Sequence, residues 1–145
     1  MADAARQAIL PLFRSAGLTA DNKRPADFDP VTEADRAAER AMRDVLARRR
    51  PQDGIFGEEY GKQQGSSGLT WILDPIDGTR AFICGAPSWG VLIGLSDGEQ
   101  ILYGIVDQPY TGERFEGGLG VSRLVTGAGQ RPLAVRQGVD LSQAT

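Results

Sequence analysis

Residues 88–108 read Ser88-Trp89-Gly90-Val91-Leu92-Ile93-Gly94-Leu95-Ser96-Asp97-Gly98-Glu99-Gln100-Ile101-Leu102-Tyr103-Gly104-Ile105-Val106-Asp107-Gln108. Trp89, Val91, Ile93 and Leu95 fall on one face of an extended chain, because successive strand residues point to opposite sides. Asp97-Gly98 is a strong two-residue hairpin signal, and residues 99–108 return as the partner strand. Downstream, residues 113–118, 122–126 and 132–136 read as further short strands. Upstream, 54–59 and 69–74 are two more, joined by a flexible segment, 61–68.

Further upstream the period changes. Ala5, Ile9, Leu12, Phe13 and Ala16 share one face of a helix over 2–16, which Pro11 should kink. Residues 17–30, with Gly17, Pro25, Asp29 and Pro30, read as a loop. A second helix starts at Thr32, where Thr32 and Asp35 have the spacing of a capping box. Ala38, Ala41, Met42, Val45 and Leu46 repeat at helical spacing. Arg48, Arg49 and Arg50 complement the dipole in its last turn, and Pro51 and Gly54 end it. Two helices followed by a run of antiparallel strands make an α+β layered fold of one domain.

Composition narrows the chemistry. The 145 residues hold no histidine, one cysteine (Cys84) and a net charge of -3. This excludes a Ser-His-Asp triad, a histidine-ligated zinc site and an intrachain disulfide. Acids and bases are mixed along the chain, so no nucleic-acid surface or basic membrane patch is expected. No apolar run reaches the ~18 residues of a membrane span, and a reducing, cytoplasmic setting fits. Any metal chemistry must use hard oxygen donors, which suit Mg²⁺, Mn²⁺ or Ca²⁺.

Such donors cluster at Trp71-Ile72-Leu73-Asp74-Pro75-Ile76-Asp77-Gly78-Thr79. An apolar strand ends at two acids, and a Gly-Thr turn opens a short helix. Two carboxylates at one centre repel unless a cation lies between them. Gly78 and Thr79 offer backbone N–H groups to an anion. If strand 54–59 pairs with 69–74, Glu58 lies beside Asp74, and Asp35 could reach in from the second helix to the Thr79 hydroxyl. Spacing alone leaves plainer readings open. Asp35 also serves as a helix cap, and Glu58 and Glu59 as solvated charges. Asp74-Pro75 and Asp77-Gly78 also serve as turn chemistry, Cys84 as a small buried residue, and Arg48–Arg50 as a solvated helix end.

Three motifs together resemble the inositol monophosphatase family: Asp29-Pro30-Val31-Thr32-Glu33-Ala34-Asp35, Gly57-Glu58-Glu59, and Asp74-Pro75-Ile76-Asp77-Gly78-Thr79. The segments Thr79-Arg80-Ala81-Phe82-Ile83 and Gly85-Ala86-Pro87-Ser88-Trp89-Gly90 look like the histidinol-phosphate phosphatase branch. The resemblance implies the amino-terminal part of the layered αβαβα sugar-phosphatase fold. It also implies hydrolysis of a small phosphate monoester, with metal-activated water attacking phosphorus in line. The cofactor would be two or three Mg²⁺ ions, with Mn²⁺ as the alternative. Glu58, Asp74, the Ile76 carbonyl and Asp77 would bind metal. Asp77, Gly78 and Thr79 would bind substrate, while Asp35 and Thr79 would be catalytic. Glu59 and Lys23 would stand behind them.

L-histidinol phosphate is the expected substrate, with inositol 1-phosphate or a nucleotide 3′-phosphate as alternatives in the same family. A non-catalytic metal- or phosphate-binding module is the reading from another class. Family members continue into a carboxy-terminal half with a Trp-Asp motif, whereas Trp71 and Trp89 here precede Ile72 and Gly90. The expectation is therefore an amino-terminal metal- and phosphate-binding domain over 1–145 with that half absent, and a homodimer for the full-length protein.

Overall fold

The computed structural model describes residues 1–24, 27–135 and 138, with the side chains of residues 23, 24 and 27–30 outside the description. Helix α1 (Ala2–Ile9) leads into turns ending at Arg14. Then come β1 (Ala20–Arg24), β2 (Asp27–Thr32), α2 (Glu33–Arg49), β3 (Gly54–Gly57), β4 (Gly61–Gln63), β5 (Thr70–Asp77) and α3 (Thr79–Ile83). The remaining strands are β6 (Gly90–Ser96), β7 (Ile101–Gln108), β8 (Glu113–Gly118), β9 (Val121–Thr126) and β10 (Gly129–Pro132). β1 and β2 form a small antiparallel sheet. The other eight form one sheet in the order β10-β9-β8-β7-β6-β5-β3-β4.

Both long helices pack on one face of the large sheet. Ala34, Ala38, Met42 and Leu46 of α2 and Ala5 and Ile9 of α1 meet Ile55, Leu73, Val91 and Ile93 in a single core. The alternation read from residues 88–96 thus sets the buried face of β6. α2 begins where the capping box lies: Asp35 Oδ2 accepts the Thr32 N–H at 2.8 Å, and Thr32 Oγ1 accepts the Ala34 N–H at 3.1 Å. A buried ion cluster ties α1 to the sheet. Asp107, fully buried on β7, accepts from Arg6 Nη2 and Arg114 Nε, each at 2.8 Å.

Several expectations are corrected. The first helix ends at Ile9 instead of running to residue 16: Pro11 has no N–H for the next helical bond, Arg14 then adopts the left-handed φ of 59°, and Ala16 is exposed. The segment 17–30, read as a loop, instead supplies β1 and most of β2, which pair as antiparallel strands through cross-strand bonds that their polar composition does not announce. Asp97-Gly98 opens a four-residue loop, 97–100. The Asp97 carboxylate accepts the N–H groups of Glu99 and Gln100, at 3.0 and 2.9 Å, and so widens the turn. The last strand is Gly129–Pro132 rather than 132–136, and residue 136 lies outside the described residues. Cys84 is exposed, not buried. Arg50 is more than a solvated helix end, since Asp53, buried, accepts its Nε at 2.7 Å and Trp71 Nε1 at 2.9 Å. Finally, the sheet is not wholly antiparallel: β3 and β5 run parallel.

Candidate active site

That parallel pair builds the site. Gly57 lies opposite Leu73, and the Glu58 N–H donates to the Leu73 carbonyl at 3.1 Å. Glu58 and Asp74 therefore both follow the last pair of the parallel ladder, side by side, and their carboxyl groups share a hydrogen bond. An antiparallel pair would have sent the two chain directions apart.

Pro75 then disturbs the ladder. It has no N–H to donate, so pairing of β5 with β6 is interrupted: Asp74 faces Leu92, Asp77 faces Gly90, and two residues oppose Val91 alone. Such a bulge re-aims the next side chain. Pro75 and Ile76 are buried, while Asp77 is exposed. Gly78 then takes φ 91°, and a Cβ there would lie 2.8 Å from the Ser88 carbonyl, so this position requires glycine. α3 starts at Thr79. Behind it Phe82, fully buried, packs against Phe13 and Trp89 with ring centroids 5.2 and 5.0 Å away. Arg14 Nε donates to the Gly85 carbonyl at 2.9 Å and holds the far end of this segment.

Asp35 approaches from α2. Its Oδ2 also accepts the Thr32 hydroxyl at 2.5 Å, while its Oδ1 lies 3.4 Å from Thr79 Oγ1. The Thr79 hydroxyl is 3.0 Å from the Ile76 carbonyl, the better placed of its two acceptors. Asp35 is thus both helix cap and neighbour of Thr79, so the two readings of this residue are compatible. It is 1% exposed, so the half-buried Thr79 hydroxyl stands between it and solvent.

Burial pushes the Asp74 carboxyl up to about 7, helped by the negative charge and hydrogen bond of Glu58 and by the charge of Asp77. Its Oδ1 is buried without a hydrogen-bond partner. Such an oxygen is normally satisfied by protein, water or an ion. Among the described residues no three His, Cys, Asp or Glu side chains form a ready-made metal cluster; the close contact is Glu58 with Asp74. An unpartnered oxygen, an Asp74 carboxyl pushed up by burial and neighbouring negative charge, and oxygen-only donors nevertheless fit a hard dication.

Glu59 donates its N–H to Glu39 Oε2 at 2.7 Å. Lys23 lies on β1, and its side chain is outside those described. Glu39 carries no local signal as a site residue, because an acid four residues before an arginine on a helix is ordinarily a surface ion pair. Arg14 and the ring cluster behind α3 were equally silent, because their partners are distant in sequence.

The fold and site define a layered α+β protein with a carboxylate centre at the ends of adjacent strands. Residues 1–145 match the inositol monophosphatase family over their whole length, and the chain belongs to that family. It is 38% identical over 128 residues to the histidinol-phosphatase of Chlorobaculum parvum, covering 88% of this chain and 49% of that protein. It is 40% identical over 121 residues to the inositol-1-monophosphatase of Caulobacter vibrioides, covering 79% and 46%. The crystal structure of the extragenic suppressor protein SuhB from Bartonella henselae superposes with a TM-score of 0.77 at 29% identity, covering 94% of this chain and 52% of that one. The chain thus spans about half the length of these relatives.

Proposed function

We propose that this chain supplies the metal- and phosphate-binding half of a Mg²⁺-dependent phosphate monoester hydrolase acting on L-histidinol phosphate. The observation that carries this reading is the Glu58–Asp74 pair where the parallel β3–β5 ladder ends, with a buried, unpartnered Asp74 oxygen and Asp77 beside it. Glu58, Asp74, Asp77 and the Ile76 carbonyl would hold two or three Mg²⁺ ions, or Mn²⁺. When bound, the metal would neutralise the carboxylates, acidify a water and screen charge on the phosphoryl group.

The chain's own residues do the rest. The Ile76 carbonyl has two lone pairs, so it can accept from Thr79 and still face a cation. Turning the Thr79 hydroxyl from Ile76 towards Asp35 Oδ1 frees its oxygen to accept a proton from an attacking water. Asp35, held by the capping box, is fixed as the acceptor at the end of that relay. Gly78 and the first turn of α3 offer N–H groups to the phosphate. Lys23 and Glu59 would support the rim of the site.

Sequence identity does not separate the histidinol and inositol relatives, at 38% and 40%. The branch-like segments 79–83 and 85–90 favour histidinol phosphate, and inositol 1-phosphate is the second reading. A homodimer accompanies both. Phosphate release from histidinol phosphate, inositol 1-phosphate and a nucleotide 3′-phosphate, with Mg²⁺ and with chelator, tests the assignment. Release from the first should dominate, require Mg²⁺ and vanish in Asp74→Asn. Undiminished turnover in that variant would refute the metal reading. Metal binding without turnover on any ester would favour a non-catalytic binding module.

A further inference from the structure

Glu39 is a charged side chain outside the carboxylate centre, and it is fully buried. It sits one helical turn beyond Asp35. Its carboxylate accepts the Glu59 N–H at 2.7 Å, the Tyr60 N–H at 3.2 Å and Arg43 Nε at 2.8 Å. Arg43 reaches further, donating from Nη2 to the Gly61 carbonyl at 2.6 Å. One face of α2 thus grips the backbone of the β3–β4 turn.

Glu58 is the first residue of that turn. Its N–H is bonded to the Leu73 carbonyl, and the next two N–H groups are bonded to Glu39. Its backbone is therefore fixed from two sides, by β5 and by α2. Gly57 is what lets the carboxylate come so close: a Cβ there would lie 1.9 Å from Glu39 Oε1. A buried ion pair is a poor device for stability alone, since apolar replacements often serve as well. Groups behind a ligand that fix its direction are a better reason to keep one.

We propose that Glu39 is a positioning residue, which aims the Glu58 carboxylate at Asp74 through the backbone of residues 58–60. The inference rests on the metal reading of Glu58 and Asp74 given above.

Mn²⁺ binding to the full chain, followed by electron paramagnetic resonance and calorimetry, tests it. Glu39→Gln keeps the size but replaces an acceptor oxygen with an N–H₂ donor that meets other donors. Its Mn²⁺ dissociation constant should rise at least about tenfold. Gly57→Ala leaves the Glu39 side chain unaltered but displaces its carboxylate, and should shift affinity the same way; it carries the test if Glu39→Gln does not fold. Asp107→Asn is the control. It weakens a buried carboxylate cluster of the same kind at the α1–β7 contact, so it should lower the melting temperature and leave Mn²⁺ affinity unchanged. Affinity within twofold of wild type in a folded Glu39 or Gly57 variant overturns the proposal, as does an equal loss in Asp107→Asn. If the wild-type chain binds no Mn²⁺, the metal reading falls and takes this proposal with it. Retained binding in Glu39→Gln removes the proposal alone.

Discussion

Asp74→Asn should make the metal-free chain more stable at pH 8 while removing its response to Mg²⁺. The folded chain holds the Asp74 carboxyl at about 7, against 3.8 for the free group, through burial and then the charge of Glu58. Between those values the folded state keeps a proton that the unfolded state has lost. Stability therefore falls as pH rises from about 4 to about 7, and the loss is complete above that. At about 1.4 kcal/mol per tenfold change the full displacement is worth roughly 4 kcal/mol. The carboxyl is only half-buried, so solvent screening reduces this to about 1–2 kcal/mol. For a chain of this size that is about 3–8 °C in melting temperature. Asparagine keeps the shape and an acceptor oxygen, gains an N–H₂ donor towards Glu58, and carries no charge to desolvate. Thermal unfolding of both proteins in chelator at pH 5 and pH 8 isolates the effect, because other carboxylates held below their usual range, such as Asp53 and Glu116, are common to both. The gap should be full at pH 8 and smaller at pH 5, where the folded chain still keeps part of the proton. Added Mg²⁺ should then raise the wild type and not the variant. A variant no more stable than wild type at pH 8 in chelator would show that the Asp74 charge costs the folded chain nothing.

Thr79→Val removes the hydroxyl between Asp35 and the Ile76 carbonyl, so unfolding free energy should drop by about 1 kcal/mol. Phosphate release should fall at least about 100-fold, with Thr79→Ser retaining most of it; steady-state kinetics on both variants decide this. The sheet face away from α1 and α2 carries Phe56, Ile101, Val106 and Phe115, all exposed. A contiguous apolar face of this kind should drive concentration-dependent association of the 145-residue chain, which Val106→Lys weakens without lowering the melting temperature appreciably. Sedimentation velocity reads the association and thermal unfolding the stability, and a wild type that stays monomeric throughout would contradict the expectation.

Local physics made much of the site legible in advance. The Thr32–Asp35 spacing specifies a capping box because both partners lie within one helical turn. The run from Asp74 to Thr79 specifies a strand end, a bulge and a glycine-dependent turn because proline lacks a donor and Gly78 needs a left-handed φ. Alternation from Trp89 to Ile93 specifies which face of β6 is buried. These features depend on neighbours a few residues away, so the order of residue types encodes them. The same holds for the motifs that mark the family.

Tertiary structure alone decided the direction of β3 against β5, since a short apolar run pairs either way until the intervening turn and the helix above it choose. That choice put Glu58 beside Asp74, and the burial it imposed raised the Asp74 carboxyl. It also turned Glu39 from an ordinary helix acid into a buried anchor, and left Cys84 outside. Each of these outcomes depends on which groups the folded chain brings together across tens of residues, and on how much water it excludes there. Spacing along the sequence carries no record of either.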